Sequence, residues 1–295
     1  MQRTGQPSVQ EFSVGGEPYG IAAGADGALW LTLHKSGEIV RLAVNGGLDR
    51  YPAGPPGCSP TVITPGPDGA LWFARTGDHH LGRISTGGDV TGFAVPTPGS
   101  GPYGIAAGPD GALWFTEMNT DRIGRVTTGG EFTEFPLPVA GGYPSMIAAG
   151  ADGALWFTLN QANAIGRISV GGDVVLHPLP TGGAAPVGIA RGADDALWFV
   201  EIGAGQVGRI TVDGEIREFP LPDRGAKPHA IAAGPDGACW FTEWGGNRIG
   251  RVTLSGEVTG YDLPTPSSEP HGIAAGPDGA VWTALEIGTA ARLTS

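Results

Sequence analysis

The chain has few of the residues that staple a fold or attract polyanions. Its 295 residues include two cysteines, Cys58 and Cys239. That excludes a disulfide framework, and neither cysteine has CxxC or metal-ligand spacing. Both read as small filler residues. Basic residues number 17 against 29 acidic ones, a formal net charge of −12. An acidic chain is a poor partner for nucleic acid or anionic lipid. No apolar run approaches the length of a membrane-spanning helix. The opening segment MQRTGQPSVQEF has no apolar stretch of the kind a secretory signal needs. With the scarcity of cysteine, this leads to the expectation of a cytoplasmic protein. No helical period and no coiled-coil pattern is visible, so nothing in the residues suggests assembly.

What the chain has in excess is glycine and proline, 53 and 26 residues. Together they make up about 27% of the chain, which without a period would read as low complexity. Here there is a period. Trp30, Trp72, Trp114, Trp156, Trp198, Trp240 and Trp282 are each 42 residues apart, and only Trp244 lies off this grid. An Asp precedes each grid Trp by four residues, from Asp26 to Asp278, and a Pro recurs in step, from Pro18 to Pro270. Seven units fill residues 1–295 as one architecture with no second domain.

Within a unit, short apolar runs alternate with turn signals. In residues 228–264 the runs are HAIAAG, ACWFTE, RIGRVT and EVTGYDLP, with PDGA and LSGE as turns. Four short strands per unit of about 42 residues mark a propeller blade. The fold class is therefore all-β, a seven-bladed β-propeller. The last unit stops at ARLTS, before its fourth strand, and VQEFSV (9–14) matches the missing strand. The N-terminal strand is expected to close the ring and leave no open sheet edge. The grid Trp residues read as packing between sheets.

A repeat protein carries its own control: scaffold positions recur, and positions that vary at a fixed slot are free for function. The start of the first strand and the end of the second fall at one mouth of the ring. The residue after the repeated Pro reads Tyr19, Thr61, Tyr103, Ser145, Val187, His229 and His271; the residue before it reads Glu17, Ser59, Gly101, Tyr143, Ala185, Lys227 and Glu269. Three residues past the grid Trp come Leu33, Arg75, Glu117, Leu159, Glu201, Glu243 and Leu285, with Trp244 and Glu286 one further on. Polar groups converging beside aromatic walls define a candidate site.

The densest group is Glu269-Pro270-His271 with Glu286 on the next strand and His229 in the adjacent blade. Pro270 favours an extended Glu269, which would share a face with His271. Two histidines and two carboxylates suit a hard cation and proton transfer. The remaining histidines, His34, His79, His80 and His177, read as surface residues. Glu117, Glu201 and Glu243 read as partners of nearby arginines or as channel lining. The last unit is one residue short after Trp282, so Glu286 aligns with either Glu243 or Trp244.

The runs PYGIAAGPDGALWFTEMNTDRIGRV, KPHAIAAGPDGACWFTEWGGNRIGRVT and EPHGIAAGPDGAVW resemble the virginiamycin B lyase (streptogramin B lyase) family across essentially the whole chain. KPHAI followed by FTEWG, and EPHGI followed by ALEIG, are the more specific elements. IGTAARL near the end departs from the IGRI-like text of other units. The resemblance implies a monomeric, Mg²⁺-dependent carbon–oxygen lyase. Such an enzyme inactivates type B streptogramins, cyclic depsipeptide antibiotics, by elimination at the ester. By motif position it implies His271 as general base, Glu269 and Glu286 as Mg²⁺ ligands, and His229 as a substrate-binding residue. Tyr19, Tyr103, Tyr143 and Trp244 are candidate walls for the substrate. The scaffold motifs alone also allow a non-catalytic propeller that binds a peptide or protein, or a metal-dependent lactonase or esterase.

Overall fold

A computed structural model describes residues 8–294. Most of the opening segment read above, and the last residue, lie outside the described residues. Strands form seven four-stranded antiparallel sheets, one per repeat. Blade one consists of Pro18–Ala23, Ala28–Leu33, Glu38–Ala43 and Leu48–Pro52. Blades two to six follow the same order in sequence. Blade seven takes Pro270–Ala275, Val281–Leu285 and Thr289–Thr294 from the C-terminus, and Ser8–Ser13 from the N-terminus as its outer strand. The seam pairs Ser8 with Thr294 through to Ser13 with Thr289. First strands of successive blades pack side by side around the ring, and blade one's packs against blade seven's. Among the described residues no helix is long and apolar enough to cross a membrane.

The repeat spacing has a physical cause. In every blade the grid Trp donates its indole N–H to the repeated Asp at 3.0–3.2 Å. The other oxygen of that Asp accepts from an Arg on the third strand at 2.6–2.7 Å. One carboxylate thus ties the first hairpin turn to the second and third strands. Burial raises the pKa of these carboxyls, but the Arg and Trp hydrogen bonds outweigh it and hold them below the ordinary value. Each Trp also stacks on a ring of the fourth strand, such as Tyr51, Phe93 or Phe135. In blade seven that ring is Phe12, supplied by the N-terminal strand and tilted by 33° against Trp282. In blade four it is His177, 5.5 Å from Trp156. His177 is therefore a stacking residue of the blade and not the surface histidine the sequence implied. Cys58 and Cys239 are buried free thiols, as expected of filler residues.

A second internal rule explains IGTAARL. Five blades pair a second-strand Phe with a third-strand Gly: Phe73–Gly82, Phe115–Gly124, Phe157–Gly166, Phe199–Gly208 and Phe241–Gly250. A Cβ on any of these glycines would run into the Phe ring. The exceptions change both partners. Blade one pairs Leu31 with Val40, and blade seven pairs Thr283 with Ala291.

Register also settles the short repeat. Pro270 pairs with Leu285 as Pro228 pairs with Glu243. The Glu286 N–H donates to Glu269 O as the Trp244 N–H donates to Lys227 O. Glu286 therefore occupies the Trp244 slot. The missing residue comes out of the following turn, which spans 286–288 in blade seven and 244–247 in blade six.

Glu117, Glu201 and Glu243 are buried inside their blades, in the slot that Leu33, Leu159 and Leu285 fill elsewhere. None of them lines the central cavity. Glu243 pairs with Arg248 at 2.9 Å, as one of the sequence readings expected. Glu117 accepts instead from Thr120 (2.8 Å) and Glu201 from Gln206 (2.6 Å), and each keeps one oxygen without a partner. Burial, helped by the nearby Glu134 and Glu218, pushes Glu117 and Glu201 up to about 8.

Two predictions follow from this packing. Gly124→Ala should cost about 1–3 kcal/mol in a urea melt. Adding Phe115→Leu, after the Leu31–Val40 pair, should recover part of that loss; no recovery would show that the clash is not the cause. The raised carboxyls make the second. A group whose folded pKa lies above its unfolded one stabilises fully below the ordinary carboxyl pKa, and the contribution fades as pH rises towards about 8. The double variant Glu117→Gln/Glu201→Gln should therefore melt higher than the parent at pH 8.5, by about 2–4 °C for each kcal/mol recovered, and show little gain at pH 5. Parallel Tm–pH curves would contradict it.

Candidate functional site

The mouth slots owe their aim to a bulge. In all seven blades the register between first and second strands shifts just after the repeated Pro. Two residues on the first strand then oppose one on the second, which re-aims side chains. In blade six the N–H of Ala230, in the bulge, donates to Thr242 Oγ1 at 2.9 Å. That hydroxyl donates in turn to His271 O in blade seven, also at 2.9 Å. The backbone under His271 is thus fixed by its neighbour.

Glu269 differs from the sequence expectation. It is not extended: its φ is +51°, and Ser59, Tyr143, Ala185 and Lys227 in the same slot are also left-handed. Proline disfavours the right-handed helical region for the residue before it and leaves this one open. The preceding Ser268 is held by Asn247, whose Oδ1 accepts the Ser268 N–H at 2.7 Å and whose Nδ2 donates to Thr265 O at 3.0 Å. Glu269 consequently meets His271 through Glu286 and not by sharing a strand face.

The four residues form one chain of contacts. His271 Nε2 lies 2.9 Å from Glu286 Oε1. His271 Nδ1 lies 3.4 Å from His229 Nδ1, and the rings meet edge to face at 4.6 Å. The carboxyl of Glu269 is pushed up, first by its hydrogen bond with Glu286, then by burial and by the Glu286 charge. Burial pulls His271 down to about 4 and His229 to about 3, the latter helped by His271. Both imidazoles are neutral near pH 7. A carboxylate oxygen facing Nε2 favours the His271 tautomer with its proton on Nε2 and the lone pair on Nδ1.

The aromatic candidates divide. Tyr19 stacks on His271 at 4.5 Å and its hydroxyl lies 2.5 Å from that of Tyr103. Trp244 stands 6.5 Å from His271, with Lys227 Nζ 5.1 Å from its ring centre. Tyr143 lies apart from the carboxylates. It lines a cavity of about 280 Å³ with Tyr19, Tyr103 and His229. A larger cavity of about 410 Å³ lies among the first strands, ringed by the Ile of every blade, from Ile21 to Ile273. Tyr19, Tyr103 and His229 line both cavities.

Sequence reading missed three lining residues, Met118, Asn160 and Ile202. All occupy the slot of Trp244 and Glu286, four past the grid Trp, and tabulating that slot in every blade would have found them. His34 holds the same slot in blade one, 5.6 Å from Tyr19. It belongs to the mouth and not to the plain surface. Glu17, in the Glu269 slot of blade one, is paired with Lys35 at 2.7 Å.

Among the described residues no group of three or more His, Cys, Asp or Glu is arranged to hold a metal ion. The Glu269–Glu286 pair nevertheless fits a hard divalent cation. Its donors are all oxygen, and two like charges face each other closely. Mg²⁺ needs few protein ligands because it keeps several waters.

The model of the virginiamycin B lyase family matches residues 7–293. The virginiamycin B lyase of Staphylococcus aureus superposes with a TM-score of 0.95 at 44% identity, over 98% of this chain and 100% of that one. A catalytically inactive histidine-to-alanine variant of the S. aureus enzyme, solved with quinupristin, gives the same figures. The match to the curated virginiamycin B lyase of Mycolicibacterium vanbaalenii is local: 52% identity over 44 residues, 15% of this chain and 15% of that protein. Repeated blades, the closure of the ring by the N-terminal strand and the family match over nearly all its residues agree: this chain belongs to the virginiamycin B lyase family.

Proposed function

We propose that the chain is a lyase that opens cyclic depsipeptides of the type B streptogramin class by elimination at the ester. The observation that carries the reading is the continuous contact set His229–His271–Glu286–Glu269, a neutral base joined to a carboxylate pair. In such a substrate the ester oxygen sits on the β-carbon of a threonine-derived residue. The α-proton lies next to a carbonyl and is weakly acidic.

His271 takes that proton. Glu286 accepts the Nε2–H and so fixes the tautomer, which leaves Nδ1 as the basic nitrogen. In the free protein Nδ1 faces His229, and the substrate takes over that position. Stacking on Tyr19 restrains the ring. The C–H electron pair forms the α,β double bond, the β-carbon–oxygen bond breaks, and the oxygen leaves as a carboxylate. No water is consumed, so the linear product has the mass of the ring. His229 donates its ring N–H to a substrate oxygen and orients it. Glu269 and Glu286 would hold Mg²⁺, which when bound supplies Lewis-acid stabilisation of the charge building on the neighbouring carbonyl oxygen.

Incubation with quinupristin should give a linear product of unchanged mass, abolished by EDTA and by His271→Ala. The His271→Ala loss should be about 10²–10⁴-fold in kcat, with Tm unchanged. A product heavier by one water would make the protein a hydrolase; no product with tight binding would make it a binding propeller. In a Mg²⁺ titration of activity, Glu269→Gln should raise the half-saturating concentration about tenfold. An unshifted curve would remove Glu269 from the metal site.

A further inference from the structure

We infer that one buried position per blade, two past the grid Trp, sorts the neighbours of the base into held and yielding residues: Thr242 is a positioning residue for His271, while Val200 and Ala284 leave His229 and Tyr19 free to move aside. The inference rests on the lyase reading above and gives a role to residues inside the sheets that line no cavity.

The position reads Thr32, Ala74, Thr116, Thr158, Val200, Thr242 and Ala284. All of them are fully buried. Each Thr works in two directions. Its hydroxyl accepts the N–H freed by the bulge of its own blade, that of Gly20, Gly104, Met146 or Ala230, at 2.8–3.0 Å. The same hydroxyl donates to a carbonyl of the next blade, that of Thr61, Ser145, Val187 or His271, at 2.5–2.9 Å. Ala and Val have no hydroxyl and can make neither bond. The next-blade carbonyls beside Ala74, Val200 and Ala284 are those of Tyr103, His229 and Tyr19. They occupy the same place as the tied ones: His229 O and Tyr19 O lie 2.7 and 2.6 Å from the Cβ that Gly188 and Gly272 would carry, as Ser145 O lies 2.4 Å from that of Gly104. Tyr103 O keeps one long contact, 3.4 Å from Thr61 Oγ1. Thr283, one residue before Ala284, donates to Gly272 O of its own blade at 2.8 Å and so makes no link across.

The pattern matches what the reaction asks of each residue. His271, the base, is tied to the blade behind it. The two rings that rest against it are not: Tyr19 is stacked at 4.5 Å and His229 meets it edge to face at 4.6 Å. In the free protein His229 occupies the space in front of His271 Nδ1, so it has to withdraw before a substrate proton can take that place. A base that is held while its neighbours yield keeps its reach when they move. Packing does not demand the difference, because the same buried position takes Thr in some blades and Ala or Val in others.

Backbone amide relaxation dispersion on the full chain reads the sorting without substrate. Exchange is expected at the His229 and Tyr19 amides and not at His271. Val200→Thr should quench it at His229, and Thr242→Val should create it at His271. Flat profiles at His229 and Tyr19, or a Thr242→Val chain with no exchange at His271, overturn the inference. Quinupristin opening reads the consequence. Thr242→Val should lower kcat about tenfold with KM within about twofold, and Thr242→Ser should restore the rate. Thr242→Ala, after Ala74, replaces the Val variant should that one fail to fold. Thr158→Val removes the same two bonds in blade four and should leave kcat unchanged. An equal fall in that variant would show a general loss of stability and take the positioning role from Thr242. If the wild-type chain opens quinupristin while the dispersion pattern is absent, only this inference fails. If it does not open quinupristin, the lyase reading fails and takes the role of Thr242 with it.

Discussion

Everything at the mouth depends on one carboxylate per blade at the opposite end of the ring. The repeated Asp is shared between a Trp indole and an Arg guanidinium, and it joins turn, second strand and third strand. A charge-assisted bond on one oxygen and an indole donor on the other use the group's capacity well. The Trp is then fixed and presents its face to the fourth strand. Because this lock sits at the hairpin end, it makes no demand on the residues at the far ends of the strands. Those are the slots that vary.

The bulge after the repeated Pro turns that freedom into a site. It turns the slot residue towards the mouth in every blade, and the second-strand Thr, where present, takes up the freed N–H. The Thr242 hydroxyl carries the constraint across to His271 in the next blade. His271 is therefore set on backbone that two blades hold jointly. This is the support a base needs if it is to stay within reach of a proton.

Charge is distributed with similar economy. Glu286 and Glu269 face each other at the rim, where a cation can relieve them, and Lys35 pairs with Glu17 close by. Glu117 and Glu201 are a different case. They are buried where other blades place Leu and avoid the cost of a buried charge by staying protonated near neutral pH. One residue type thus plays a rim role and an interior role, and burial alone separates them.

The sequence alone determined the ring. A strict 42-residue period, turn signals and a displaced fourth strand leave few architectures, because each blade must bury its faces against the next. It also nominated His229, His271, Glu269 and Glu286, since variation at a fixed slot is visible in a repeat without any other chain. It did not show how they meet. The left-handed Glu269, the Glu286 register, the stacking of His177 on Trp156 and the cavity beside Tyr143 were decided by tertiary structure. Each depends on contacts between blades or across a bulge, where residues far apart in the chain fix one another's geometry, and a local pattern holds no record of that.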